Sequence, residues 1–277
     1  LHGKSFLPLF LGFGCNVPAV IGTRVLESPS SRLLTMLLTP LVPCTARLAV
    51  VAFLAPAFFG SSATLVSWGL VAINLFILAL VGVLINRLLF KGERLAFIME
   101  LPLYHVPNVR SIGLFVWNNV REFLRKAGSI ILLLSVVIWV LSAFPGPGIE
   151  QSVLAGLGRL LLPLGDLMGL DWRMLVALLA SFPAKENAIA TLGILYGAGE
   201  EAIGLAETIA RQVPPAAALA FLVVQMLFIP CVATVATIRQ ESGSWRWTLF
   251  SLGLLLVIAF LVGILIYQGA MALGIGA

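Results

Sequence analysis

Charge is what this chain has least of. Only 10% of its 277 residues are Asp, Glu, Lys or Arg, against 60% hydrophobic, whereas soluble domains run at about 45–50% apolar and about a quarter charged. With a mean hydropathy of +1.08, a soluble globular domain is excluded. The expectation is an all-α, polytopic helical membrane protein. Cysteine and histidine are also sparse, at three and two residues. An odd number of cysteines, each inside or beside an apolar run, argues against a disulfide framework and for free thiols. His2 and His105 are solitary and read as loop residues. No Ser/His/Asp set, H-E-x-x-H or C-x-x-C occurs. HGKS at 2–5 lacks the upstream glycines of a phosphate-binding loop and runs straight into LPLFLGFGC. There is no basic n-region before the first apolar run and no initiator Met, so a cleavable signal peptide is not expected and part of a longer chain is. The formal charge of +5 does not point to nucleic acid, because the basic residues lie mostly between apolar runs and fit a cytoplasmic face.

What is present is a set of interrupted apolar runs. LFLGFGCNVPAVIG (9–22) lies in a segment, 5–23, that carries Pro8, Gly12, Gly14, Cys15, Asn16 and Pro18, which predicts two half-helices or a re-entrant loop. Residues 33–60 are long enough to cross but are broken at Pro40 and Pro43, with Arg47 near the middle. Residues 62–90 read as a cleaner span, with Asn74 the strongly polar residue at depth. Between 87 and 126, seven basic residues face three acidic ones, a cytoplasmic landmark by the positive-inside bias. Within it, SIGLFVWNNVREFLRKAG (111–128) reads as an amphipathic helix lying at the interface, and 128–144 as a separate span ending at FPGPG. The exterior stretch 145–172 carries a surface-helix pattern, 173–198 is a second interrupted segment, and 214–238 (broken at Pro230-Cys231) and 245–268 complete the chain. Whether 173–198 crosses or doubles back decides the side of Arg239 and Arg246, and the charge bias favours doubling back. Three regions follow: 1–90, with the first broken segment; 91–127, the basic loop; and 128–277, with the second broken segment and last spans.

The interruptions pair up. GFGCNVPAVIGT (12–23) precedes LVPCTAR (41–47), as FPAKENAIAT (182–191) precedes FIPCVAT (228–234). Corresponding interrupted segments point to an internal repeat and to a transport site near the midplane. The side chains at the breaks are Cys15, Asn16, Cys44, Lys185, Glu186, Asn187 and Cys231. Thiolate with carboxylate suits a borderline or soft divalent cation such as iron(II) or zinc better than magnesium or calcium. Glu186 is the candidate acidic ligand or gate, Lys185 a counter-charge that keeps the empty site closed, and Arg47 a bridge to carbonyls of a broken neighbour. For each cysteine alone, a small buried residue filling a helix contact is the plainer reading.

At GFGCNVPAVIGTRVLE the chain resembles the first gate motif of the ferrous iron transport protein B family. The resemblance continues through LLTPLVPCTARL, MELPLYHVPNVRSIG, WNNVREFLRKAGSIIL, FPAKENAIATLGILYG and IPCVATVATIRQESGSWRW. It implies the C-terminal gate and core region of a bacterial cytoplasmic-membrane iron(II) transporter, with Cys15, Asn16, Cys44, Glu186 and Cys231 as path residues and Arg47, Lys185 and Asn187 in gating or counter-charge roles. On this resemblance the chain is not itself an enzyme and holds no permanent cofactor. Fe(II) is its cargo, and GTP and Mg enter only through an N-terminal GTPase domain that these residues lack. The partners expected are that domain or subunit, the lipid bilayer, a small cytoplasmic accessory protein of the iron system and further copies of the chain, with no nucleic acid. A nucleoside or other solute carrier, and a non-transporting metal-sensing membrane anchor, stand as alternatives.

Overall fold

In the computed structural model, residues 3–89, 108–143, 151–196, 209 and 211–274 are described. His2, His105, most of the basic loop and most of the acidic stretch 199–212 lie outside them. Among the described residues every regular element is helical. The stretches Pro29–Leu88, Pro215–Ser242 and Trp245–Ala272 are long and apolar enough to cross a membrane, as expected for an all-α polytopic membrane protein.

The first interrupted segment is a hairpin. Helix α1 (Phe6–Gly12) stops at Phe13–Cys15, and α2 (Asn16–Gly22) packs back along it. Gly22 sits against Pro8 and Leu11, and Lys4 at the start pairs with Glu27 beyond the end. Both ends therefore emerge on one side. Ser28 then caps α3 (Pro29–Leu38), its hydroxyl accepting from the Ser31 amide at 3.2 Å, with Pro29 at a first-turn position where its missing N–H costs nothing. After a short turn (Thr39–Leu41) and a break at Val42–Cys44, α4 (Thr45–Phe59) completes the crossing. The tight turn Gly60–Ser62 reverses the chain into α5 (Ala63–Leu89). At 1.5 Å per residue, its 27 residues are about 40 Å long, enough to cross the roughly 30 Å hydrocarbon core.

The second half repeats this order upside down. Helices α9 (Trp172–Ala180) and α10 (Asn187–Leu195) form a hairpin, α11 (Pro215–Leu227) and α12 (Val232–Ser242) form a broken crossing, and α13 (Trp245–Ala272) returns along it. The ends of the second hairpin meet where Tyr196 Oη donates to Asp171 Oδ2 at 2.9 Å. Residues 173–196 therefore re-enter rather than cross. Two ion pairs orient the halves: Arg24 and Arg32, beside the first hairpin, both bind Glu241 at the end of α12. Arg239 and Arg246 thus lie at the same end of the molecule as the 24–32 patch, as the charge bias suggested. At the other end Gln268 near the end of α13 donates to the Leu167 carbonyl. One hairpin enters from each end, so the repeat is inverted.

One expectation fails. The interfacial helix at 111–128 and the span at 128–144 are a single helix, α6 (Val109–Ala143). No proline occurs between 109 and 143, and Gly128 by itself costs only about 1 kcal/mol in a helix interior, so nothing ends the first turn-pattern before the second begins. The boundary expected at 127/128 falls inside this helix. Short helices α7 (Val153–Leu160) and α8 (Leu162–Asp166) follow, the former capped by Ser152 and packed on α9. The core gathers around α11, which is buried on nearly all sides. Close approach there depends on small residues: a Cβ on Gly263 of α13 would lie 2.5 Å from Val224 Cγ2.

Candidate functional site: four breaks at one level

Each hairpin tip is bonded to the break of the crossing that follows it. The Thr45 hydroxyl donates to the Gly14 carbonyl at 2.8 Å, and its amide reaches the same oxygen at 3.4 Å. In the other half the Val232 amide donates to the Phe182 carbonyl at 2.9 Å. Thr45 and Val232 each follow a Pro-Cys pair, so the two contacts are equivalents under the repeat. Gly12 brings the first tip close: a Cβ there would lie 3.1 Å from Val42 Cβ.

The two breaks are joined by Arg47. Its side chain is fully buried, Nη1 donating to the Pro40 carbonyl and Nη2 to the Phe228 carbonyl, both at 2.6 Å. A cation in the first turn of α4 opposes that helix's dipole. It is stabilised here by carbonyls freed where α3 and α11 run out, which are the negative ends of two other half-helices. Arg47 is thus the carbonyl bridge anticipated from its spacing. One consequence is that these two oxygens are already occupied by a guanidinium, which leaves thiols as the conspicuous soft donors at the breaks.

All three cysteines occupy the same local position. Cys15, Cys44 and Cys231 are the N-cap residues of α2, α4 and α12, each with extended backbone, and none makes a side-chain capping bond. Ser, Thr, Asp or Asn would normally accept from the first-turn amides there, so each thiol is at the positive end of a half-helix without being spent on it. All three are free and half-buried. Cys15 and Cys231 pack into one small cluster with Val17, Ile21, Ile131 and Ala233, and the Cys231 sulfur lies 3.3 Å from Thr234 Oγ1. Among the described residues no group of three or more His, Cys, Asp or Glu stands ready to hold a metal ion.

The charged pair at the second tip separates. Lys185 is 2% exposed, its Nζ has no hydrogen-bond partner, and it lies 5.2 Å from the centroid of Phe228. Glu186, one position on, is exposed at the start of α10, and Asn187 beside it is half-buried. The pair therefore does not neutralise itself. Gln225 anchors this tip to α11, donating to the Lys185 carbonyl at 3.4 Å with its Oε1 3.5 Å from Ser181 Oγ. Asn16 is buried at the first tip with Oδ1 unpartnered. Sequence reasoning missed Phe228, whose carbonyl and ring meet both buried cations, and the pairing of Gly14 and Phe182 with the residues after Pro-Cys. The parallel between PCT and PCV was the available signal.

These interrupted segments coincide with known family models. The Gate model, described as nucleoside recognition, matches residues 1–58 and 124–245, and the model for the ferrous iron transport protein B C terminus matches 67–119. The chain belongs to the ferrous iron transport protein B family, as part of its C-terminal membrane region. Curated relatives agree. An Fe(2+) transport protein A/Fe(2+) transporter FeoB fusion protein of Porphyromonas gingivalis is 38% identical over 97% of this chain and 38% of its own length. The Fe(2+) transporter FeoB of Methanocaldococcus jannaschii is 37% identical over 96% of this chain and 41% of its own. That of Staphylococcus aureus strain COL is 38% identical over 97% and 41%. The chain thus spans about two fifths of the length of these relatives of the ferrous iron transport protein B family. No solved structure matches.

Proposed function

We propose that this chain is the membrane permease part of a GTPase-linked ferrous iron uptake transporter, carrying Fe(II) across the bacterial cytoplasmic membrane past Cys15, Cys44 and Cys231. The observation that carries the reading is the shared placement of the three thiols, each at the N-cap of a half-helix in an interrupted segment. Sulfur donors select a borderline or soft divalent ion such as iron(II) over Mg²⁺ or Ca²⁺, which prefer oxygen. The relatives named as Fe(2+) transporters support the choice of ion. With no ready-made cluster among the described residues, the thiols serve as successive stations rather than a resident site. Asn16 Oδ1 supplies a neutral oxygen at the first tip. Exposed Glu186 and half-buried Asn187 meet the cation at the second tip, and Lys185, in no ion pair with Glu186, holds the path shut when it is empty.

The inverted repeat supports alternating access, in which one half rocks against the other around a fixed site. An excess of basic residues at the end bearing Lys4, Arg24, Arg32, Arg87, Arg239 and Arg246 supports placing that end in the cytoplasm. In this reading GTP hydrolysis belongs to a domain or subunit beyond these residues, so the chain itself is not the enzyme. The fusion relative supports a small accessory protein as partner. The test is iron uptake by full-length protein carrying Cys15→Ser, Cys44→Ser and Cys231→Ser singly and together. Progressive loss is expected, and wild-type uptake in the triple variant would overturn the thiol path.

A second reading, a nucleoside or related solute carrier, is favoured by the description of the Gate model. Competition of uptake by divalent metals against nucleosides separates the two.

A further inference from the structure

Helices α2 and α12 run side by side from the thiols toward the basic end of the molecule. At their start Cys15 and Cys231 pack with Val17 and Ala233, joined by Ile131 of α6. One layer on, Val20 and Ile238 are buried against Met36 of α3. At the far end, past the last turn of α2, Arg24 grips Glu241 with two donors, Nε at 2.9 Å and Nη2 at 2.5 Å, and Arg32 Nη2 adds a third bond at 2.8 Å. The seam is thus shut by two apolar layers and then by charge.

The placement of Glu241 needs a reason. It lies in the last turn of α12, where a carboxylate opposes the helix dipole, and its side chain is only 4% exposed. Isolated there it would be destabilising, and two guanidinium groups from the first half of the chain compensate for it. Both helices along this seam are flanked by interruptions of the chain. Helix α12 is bounded by the break at Phe228–Cys231 and by Gly243, whose φ of +64° makes a sharp turn before α13. Helix α2 is the returning arm of a hairpin. The contact joins the two inverted halves, 217 positions apart along the chain, so it reports their relative position.

We propose that the Arg24–Glu241–Arg32 cluster is a latch that holds the α2–α12 seam closed on the side the basic residues face, and that its opening admits water and solutes from that side to Cys15 and Cys231. The proposal rests on the transport reading for its purpose but not for its geometry. At the opposite end Tyr196 ties the second hairpin to itself through Asp171.

The test uses full-length protein in inside-out membrane vesicles and reads the rate at which a membrane-impermeant maleimide modifies Cys15 and Cys231, in a Cys44→Ser background. Glu241→Gln, and Arg24→Gln with Arg32→Gln, are each expected to raise the rate about tenfold, the population change that about 1.4 kcal/mol produces. Reversing the pair, Arg24→Glu with Glu241→Arg and Arg32→Gln, remakes one fork and is expected to return the rate near wild type. Unchanged labelling in Glu241→Gln overturns the latch. So does labelling in the reversed triple variant as fast as in Glu241→Gln, which would mean that the substitutions merely loosen the fold. Iron flux into proteoliposomes is measured separately. Wild-type flux absent with labelling as expected removes the iron reading and leaves the latch; flux present with labelling unchanged does the reverse.

Discussion

Arg47, at the third position of α4, donates through Nη2 to the carbonyl of Phe228 at the break of the other crossing, 2.6 Å away in space and 181 positions along the chain. Its Nη1 holds the Pro40 carbonyl at the break of its own crossing. One planar guanidinium therefore sets the distance between the two halves at the level where both crossings are interrupted. Lysine, with a single charged point, has no such fork.

Arg47→Lys is accordingly expected to lose one of the two carbonyl contacts. Each buried acceptor left without a donor costs about 1–3 kcal/mol. Thermal unfolding of the purified full-length protein in detergent checks this: the melting temperature should fall, and an unchanged value would refute the bridging role.

Lys185→Met should do the opposite. An amine with no hydrogen-bond partner and 2% exposure is destabilising where it stands, by an amount of the order of 2.5–3.5 kcal/mol for a lysine at a membrane-helix centre. Met keeps the length and removes the charge. The expected outcome is a higher melting temperature together with altered iron flux, and a lower melting temperature would show that the contact with the Phe228 ring outweighs the cost of burial.

Asn74 lies at mid-length on α5, buried to 1%, with neither Oδ1 nor Nδ2 bonded, against Leu70, Ile73, Val223, Met226 and Leu227. Asn74→Leu replaces two orphaned polar atoms by a side chain of similar size. Stabilisation of about 1–3 kcal/mol is expected, read from the same unfolding curves. A destabilised variant would mean that the amide bonds to the freed backbone of α11 in another state.

Gly263→Ala tests the contact between α11 and α13. The new methyl would meet Val224 Cγ2 at 2.5 Å and Met168 Sδ at 2.8 Å, and overpacking of this kind costs about 1–3 kcal/mol. Adding Val224→Ala should recover most of the loss. If the single variant is as stable as wild type, the two helices are farther apart than described.

The interruptions were legible because proline, glycine and polar residues inside an apolar run leave backbone groups that lipid cannot satisfy. That argument located the breaks around Cys15, Cys44, Lys185 and Cys231, the pairing of the halves and the bridging use of Arg47. It did not foresee the N-cap geometry of the three thiols, since a cap is a backbone conformation and Cys is not among its usual residues. Nor did it foresee α6. Two sequence patterns, amphipathic and fully apolar, suggested two elements, and hydrogen bonding simply ran through the junction at Gly128.

By itself the sequence determined the membrane setting, the helical class, the positions of the breaks and the family, all of which follow from local composition and short ordered motifs. Only the tertiary structure decided that the repeat is inverted, that Lys185 and Glu186 part company, and that Arg24, Arg32 and Glu241 close one end. Those outcomes depend on which elements meet across some 200 residues of chain, and apolar helices of similar composition carry little information about which neighbour each will pack against.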